Sequence, residues 1–257
     1  MPSLVSAPVA LPGGRQQTVY RAGDGPPLVW LHGLNGVEGD ARIIDRLAEQ
    51  HQVLAPLAPG FTDLDELLAI RDIHDLALHY DDLLDALQLD TATVVGHSFG
   101  AMIAAELAAH FPKRIDKLVL ISPLGLWNDA YPVTDVFAVP STEMPRLLYR
   151  TPPQSANGTT QDVERIVTLV RGMTTVARFL WPIPDRGLAR RLYRIHSPTL
   201  IVHGEQDVFV PVQYAHDFTR ALENARVQVL KGEAHMLPTE ATAALTMAIT
   251  TFLGGPQ

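Results

Sequence analysis

Short apolar runs alternate with longer amphipathic stretches through the first half of the chain. Residues 27–31 (PLVWL), 91–95 (TATVV) and 118–121 (LVLI) are short and bounded by turn residues, so they read as buried strands. Residues 72–87 carry apolar side chains at helical spacing: Ile73, Leu76, Ala77, Tyr80, Leu83, Leu84 and Leu87 form one stripe, while Asp75, His79, Asp82 and Asp85 face away. That pattern predicts a helix packed on a sheet. Residues 101–109 (AMIAAELAA) are rich in strong helix formers and predict another. The alternation of strand and helix from Val19 to Ser122 predicts parallel strands joined by helical crossovers. Leu11-Pro12-Gly13-Gly14 predicts an antiparallel hairpin ahead of them. Residues 199–203 (TLIVH) and 227–230 (VQVL) supply two later strands.

The regularity stops between these two blocks. Tyr131-Pro132, Val139-Pro140, Met144-Pro145, Thr151-Pro152-Pro153 and Trp181-Pro182 interrupt the stretch, and proline at that density breaks long elements. So long an insertion between two core strands exceeds a simple loop. The expected organisation is an α/β core of residues 1–122 and 197–257, with residues 123–196 forming a helical cap of short pieces such as 162–172, inserted after the sixth strand. Residues 152–160 are its expected weakly ordered part. The chain has no internal repeat, low-complexity tract or glycine-rich phosphate loop.

Chemistry enters at Gly96-His97-Ser98-Phe99-Gly100, between an apolar strand and a helix. A turn this tight leaves no room for side chains on both flanks, so glycines relieve the crowding and the serine hydroxyl projects from the sheet's end. The pentapeptide alone is short enough to recur by chance. Its context strengthens it. His32-Gly33-Leu34 ends an earlier strand, where the Leu34 N–H is placed to act beside that of Phe99. Asp207 and His235 each follow a strand end, so the chain order is serine, acid, histidine.

These motifs together resemble the α/β-hydrolase superfamily, in its single-domain, cap-bearing esterase and lactonase branch, from about Thr18 to Leu253. The resemblance implies a mostly parallel twisted sheet flanked by helices. It also implies Ser98 as nucleophile, His235 as general base, Asp207 as its orienting acid, and the N–H groups of Leu34 and Phe99 as oxyanion hole. Glu205 in the same loop and Asp129 beyond the 118–121 strand are the other candidates for the acid. Haloalkane dehalogenases and epoxide hydrolases of this fold use an aspartate nucleophile, so Ser98 argues against both. Carbon–carbon hydrolases of ring-cleavage products typically carry tryptophan after the histidine, where Met236 stands here. Ala58-Pro59-Gly60-Phe61 lacks the aspartate often found ahead of that Pro-Gly.

Composition narrows the function classes. The 257 residues, 47% of them hydrophobic, can fill one large α/β core. A net charge of −8, with lysine only at 113, 117 and 231, argues against a nucleic-acid partner. Without cysteine there is no disulfide, thiolate metal site or cysteine nucleophile. No cofactor or metal is expected. The N-terminus lacks the basic start and apolar run of a signal peptide, and no stretch approaches the ~20 apolar residues of a membrane span. A cytoplasmic protein with no membrane partner is the expectation, and the sequence does not set its oligomeric state.

The insertion is rich in large apolar residues, most of which should form its own core. Trp127, Tyr131, Phe137, Leu147 and Trp181, with Met236, are the candidates for a substrate pocket, because ligand sites are mostly apolar with a few fixed polar groups. The expected substrate is an uncharged, apolar, small to medium ester or lactone. Arg146, Arg150, Arg171 and Arg178 are weighed as carboxylate binders, with solvated surface positions favoured. His97 reads as a packed structural side chain, and His203 as the end of a buried strand. His74 and His79 lie on different helix faces and cannot share a metal; His51, His110, His196 and His216 have no partner pattern that suggests chemistry. The resulting expectation is a cofactor-independent serine hydrolase. Carbon–carbon bond cleavage in the same pocket is the alternative enzyme, and a weakly catalytic small-ligand receptor the alternative from another class.

Overall fold

Eight strands form one sheet: β1 (Val5–Ala10), β2 (Gln16–Ala22), β3 (Pro27–Leu31), β4 (Gln52–Pro56), β5 (Ala92–His97), β6 (Ile115–Ile121), β7 (Thr199–Gly204) and β8 (Ala225–Leu230). The computed structural model describes residues 4–140, 142–153, 160–181 and 186–255. In space the order is β1-β2-β4-β3-β5-β6-β7-β8. β1 and β2 form the expected antiparallel hairpin, β2 runs antiparallel to β4, and every other pairing is parallel. The helices are α1 (Gly36–Gly39), α2 (Ala41–Leu47), α3 (Leu64–Leu68), α4 (Ile73–Ala86), α5 (Phe99–His110), α6 (Met144–Leu148), α7 (Thr160–Leu180), α8 (Gln213–Ala221), α9 (Leu237–Glu240) and α10 (Thr242–Gly254).

The register aligns the strand ends. Leu31 pairs with Gly96, His97 with Ile121, and Gly204 with Leu230. The loops carrying Leu34, Ser98, Asp207 and His235 therefore leave one carboxyl edge of the sheet, where ligands of open parallel sheets bind. Both faces of the central strands are buried. On one lie Leu76, Tyr80 and Leu83 of α4 with Ile103 and Leu107 of α5; on the other, Trp30 meets Ile44 and Leu47 of α2 and Leu245, Ile249 and Phe252 of α10.

The helix expected at 72–87 forms as α4. The Asp72 carboxylate accepts the N–H groups of His74 and Asp75, satisfying two donors the first turn leaves unpaired. His79 does not face water as its place in the pattern predicted. It is 3% exposed because the β1–β2 hairpin folds over it: Nε2–H donates to Gln17 Oε1 at 2.5 Å, and Nδ1 accepts from Arg15. Burial lowers the His79 pKa to about 4, so the ring stays neutral inside this contact. His110 also has a partner that spacing concealed, lying 2.7 Å from His74 across the α4–α5 contact.

Between β6 and β7 the short helical pieces expected from the prolines give way to a 21-residue helix, α7. No proline falls between Pro153 and Pro182, and one interior glycine, Gly172, is tolerated. That glycine is needed. A Cβ on Gly172 would lie 2.3 Å from the Leu34 carbonyl oxygen, so α7 rests directly on the loop after β3. Thr175 Oγ1 donates to the Pro59 carbonyl, and Phe179 stacks on Phe99 with ring centres 6.1 Å apart. Arg171 and Arg178 hydrogen-bond the Phe61 and Ile70 carbonyls, while Arg150 pairs with Glu233. These three arginines thus dock the insert onto the core rather than standing free for a carboxylate. Of the stretch expected to be weakly ordered, 154–159 lies outside the described residues.

Candidate active site

Ser98 occupies a backbone conformation that side chains rarely adopt, with φ 56° and ψ −115°. The turn is held from both sides: Ser98 N–H donates to the Ile121 carbonyl at 2.8 Å, and α5 starts at the next residue. A Cβ on Gly96 would lie 2.4 Å from the Gly100 carbonyl oxygen, and one on Gly100 only 2.0 Å from that of Leu31. Only glycines let β5, the turn and α5 cross this closely, and the crossing holds the strained serine in place.

His235, from the loop after β8, reaches this serine. Ser98 Oγ lies 2.9 Å from His235 Nε2, and His235 Nδ1 lies 2.7 Å from Asp207 Oδ2. The other carboxylate oxygen, Oδ1, accepts the N–H groups of Phe209 and Val210 at 3.0 and 2.8 Å. Burial by itself raises the Asp207 carboxyl. The charge of His235 and hydrogen bonds from His203 and His235 outweigh it and hold the group well below the usual carboxylate range. His203, which the sequence marked only as a strand end, lies 3.4 Å from Asp207 Oδ2 while its Nε2–H donates to Val210 O at 2.8 Å. Glu205 instead accepts from Gly232 N–H, and Asp129 from the Trp127 indole. Asp207 is thus the one of the three carboxylates that reaches His235.

His97 is 2% exposed and packs as expected, its Nε2–H donating to the His235 carbonyl at 3.1 Å. Burial lowers its pKa to about 3, so it remains neutral beside His235. The Phe209 ring meets the His235 ring edge-on at 4.8 Å.

The loop after β3 is set by His32, whose individual role the sequence did not reveal. Ala58 N–H donates to His32 Nε2 at 2.9 Å, which places the ring proton on Nδ1, 2.7 Å from the Gly33 carbonyl oxygen. Because the peptide is planar and trans, holding the Gly33 carbonyl on one side sends the Leu34 N–H to the other. The N–H of Phe99 stands at the first turn of α5, where no intrahelical acceptor exists. Among the described residues neither N–H has an acceptor. Gly33 itself packs against the Ser98 side chain, with its would-be Cβ 3.3 Å from Ser98 Cβ. Burial lowers His32 to about 4, so its donor and acceptor assignments persist through neutral pH.

The expected pocket residues are distributed unevenly. Met236 is buried next to His235, and its N–H donates to the Leu148 carbonyl. Trp127, Phe137 and Leu147 are partly buried against the main core. Phe137 meets Trp181 edge-on at 5.7 Å, and both Tyr131 and Trp181 keep about half their surface exposed. No helix among the described residues is long and apolar enough to cross a membrane, and no group of three metal-ligating side chains occurs among them.

Comparison with known proteins fits this architecture. A family model described as alpha/beta hydrolase fold matches residues 26–153, and a second, described as TAP-like protein, matches residues 179–257. The 2-hydroxymuconate semialdehyde hydrolase of Pseudomonas sp. strain CF600 is 28% identical, over 93% of this chain and 91% of that protein. Among solved structures, a bacterial membrane phospholipase A superposes with a TM-score of 0.83 at 19% identity, covering 97% of this chain and 86% of the other. The naproxen esterase of Bacillus subtilis gives 0.75 at 18% identity, covering 98% and 92%.

Proposed function

The chain belongs to the α/β-hydrolase family, and from that premise we propose that it is a serine hydrolase of carboxylic esters or lactones. The observation that carries the reading is the unbroken row of hydrogen bonds from Ser98 Oγ through His235 to Asp207, beginning on a strained turn. His235 Nε2 takes the hydroxyl proton as Ser98 Oγ attacks the scissile carbonyl. Asp207 holds the tautomer with Nδ1 protonated and stabilises the imidazolium. The Leu34 and Phe99 N–H groups receive the charge that forms on the carbonyl oxygen. The alcohol leaves with the proton from His235, and water, deprotonated by the same imidazole, releases the acid from the acyl-enzyme. The insert serves as a cap over this site, and Met236, Leu147, Trp127, Phe137, Tyr131 and Trp181 contribute an apolar pocket.

A second reading, hydrolysis of a carbon–carbon bond beside a carbonyl, is favoured by the relative that acts on 2-hydroxymuconate semialdehyde. Met236, in place of the tryptophan typical after the histidine of such enzymes, weighs against it. Both readings use Ser98. Turnover of a p-nitrophenyl ester series against a dienone ring-cleavage product separates them. Ester turnover with a burst of p-nitrophenol supports the first reading, and exclusive dienone turnover supports the second. Absence of both, with a ligand bound, would make the protein a receptor.

A further inference from the structure

Beside the loops that carry Leu34 and His235 lies a polar pair that a purely apolar ester pocket does not need. Asn35 follows Leu34 directly, and Met236 follows His235. Asn35 Nδ2 donates to the hydroxyl of Tyr149 at 2.9 Å and lies 3.8 Å from Met236 Sδ. Tyr149 comes from the insert, just past α6, yet the chain around it is fastened to the histidine loop. Met236 N–H bonds the Leu148 carbonyl, the Glu240 carboxylate accepts the N–H groups of both Arg150 and Thr151 at 2.9 Å, and Arg150 pairs with Glu233. The Tyr149 hydroxyl is therefore held where the Leu34 loop, the His235 loop and the insert meet.

The hydrogen-bond inventory of this hydroxyl is half used. Its oxygen accepts from Asn35, and among the described residues nothing accepts its hydrogen. Burial raises the Tyr149 pKa over the opposing pull of the Asn35 hydrogen bond, so the group remains a donor across the working range of a histidine base. Asn35 is itself braced: a Cβ on Gly39 would lie 2.5 Å from Asn35 Cβ, so a larger residue there would displace it. A fixed, unused donor next to the loops of Leu34 and His235 rewards a substrate that brings an acceptor and penalises one that leaves the donor dry.

We propose that Asn35 and Tyr149 form a polar subsite, and that the substrate carries a hydrogen-bond-accepting oxygen in addition to those of the ester. The inference rests on the serine hydrolase reading above and refines its substrate class from apolar to oxygen-bearing.

The test uses two matched pairs: p-nitrophenyl methoxyacetate with p-nitrophenyl butyrate, and 2-methoxyethyl butyrate with butyl butyrate. In each pair an ether oxygen replaces one methylene, on the acyl side in the first and the alcohol side in the second. For at least one pair, Tyr149→Phe should lower kcat/KM for the ether member about three- to tenfold more than for its partner, the range of one neutral hydrogen bond. Asn35→Leu should shift the same pair in the same direction, which guards against a folding defect in one variant. Equal losses within both pairs, or no loss, would overturn the subsite. Labelling of Ser98 by a fluorophosphonate distinguishes the two levels of failure. A labelled Ser98 without selective loss sinks the subsite alone, whereas hydrolysis that persists in Ser98→Ala sinks the hydrolase reading.

Discussion

His32 offers the sharpest test of how the carbonyl oxygen is stabilised, because its two ring nitrogens do separable jobs. Nε2 accepts from Ala58 N–H, and Nδ1–H holds the Gly33 carbonyl, thereby aiming the Leu34 N–H. The amide of asparagine can occupy the place of Nδ1 and that of glutamine the place of Nε2. His32→Asn therefore keeps the bond that orients the peptide, and His32→Gln keeps the other. If the freed Gly33–Leu34 peptide merely loses a neutral hydrogen bond, about 1 kcal/mol, turnover falls roughly fivefold. If it rotates away, one oxyanion donor is lost and the fall is on the order of a hundred- to a thousandfold. The structure favours the larger figure, because among the described residues the only other group on the Gly33 carbonyl is Gly36 N–H at 3.4 Å. The assay is kcat and KM on a p-nitrophenyl ester, with the affinity of a trifluoromethyl ketone that mimics the tetrahedral adduct. In His32→Gln, kcat/KM and ketone affinity should fall in parallel with KM little changed; in His32→Asn the loss should stay below about tenfold. Equal losses in the two variants, or ketone affinity unaffected while kcat falls, would refute the peptide-orientation argument.

Three further outcomes follow from the same geometry. Asp207→Asn should lower turnover on the order of ten-thousandfold and exceed the effect of Glu205→Gln or Asp129→Asn, since only Asp207 bonds His235; steady-state kinetics that rank Asp129→Asn worst would contradict this. Asp40 is buried, with the Trp30 indole as its hydrogen-bond donor, and burial raises its pKa to about 7. The folded state therefore holds a proton that the unfolded chain releases near pH 3.8; the resulting stability is full below that pH and lost as pH rises through about 7. Chemical denaturation of Asp40→Asn should show it gaining on the parent between pH 4 and 8, by at most about 4 kcal/mol, and parallel stability curves would disprove the linkage. Gly172→Ala should lower both Tm and kcat, because the new Cβ drives α7 against the Leu34 carbonyl; a gain near the ~1 kcal/mol of intrinsic helix propensity with unchanged kcat would mean that α7 gives way freely.

What could be read from the sequence was what local chemistry dictates. Gly96 and Gly100 announced the tight turn, because their role depends on residues within one strand-turn-helix crossing. The order of Ser98, Asp207 and His235, each just past a strand, placed them at one edge once the strands were parallel. The hairpin at Pro12–Gly14 was likewise written in its turn residues. Contacts between distant segments were not legible. His79 sat on the polar side of a helical pattern, and only the overlying hairpin, which supplies Gln17 and Arg15, makes it a core residue. The density of prolines suggested a broken insert, yet the gap from Pro153 to Pro182 left room for α7. The Asn35–Tyr149 bond joins residues 114 positions apart, and no spacing rule reaches across such a distance.

A serine hydrolase of this kind passes through an ester between Ser98 and the substrate's acyl group. The direct measurement is intact-protein and peptide mass spectrometry on samples acid-quenched within the burst of p-nitrophenol release. One acyl adduct is expected, on the peptide containing Ser98, with Ser98→Ala giving no adduct and a turnover lower by a factor on the order of a million. An adduct on another residue, or a Ser98→Ala variant that keeps more than a few percent of the activity, would contradict it.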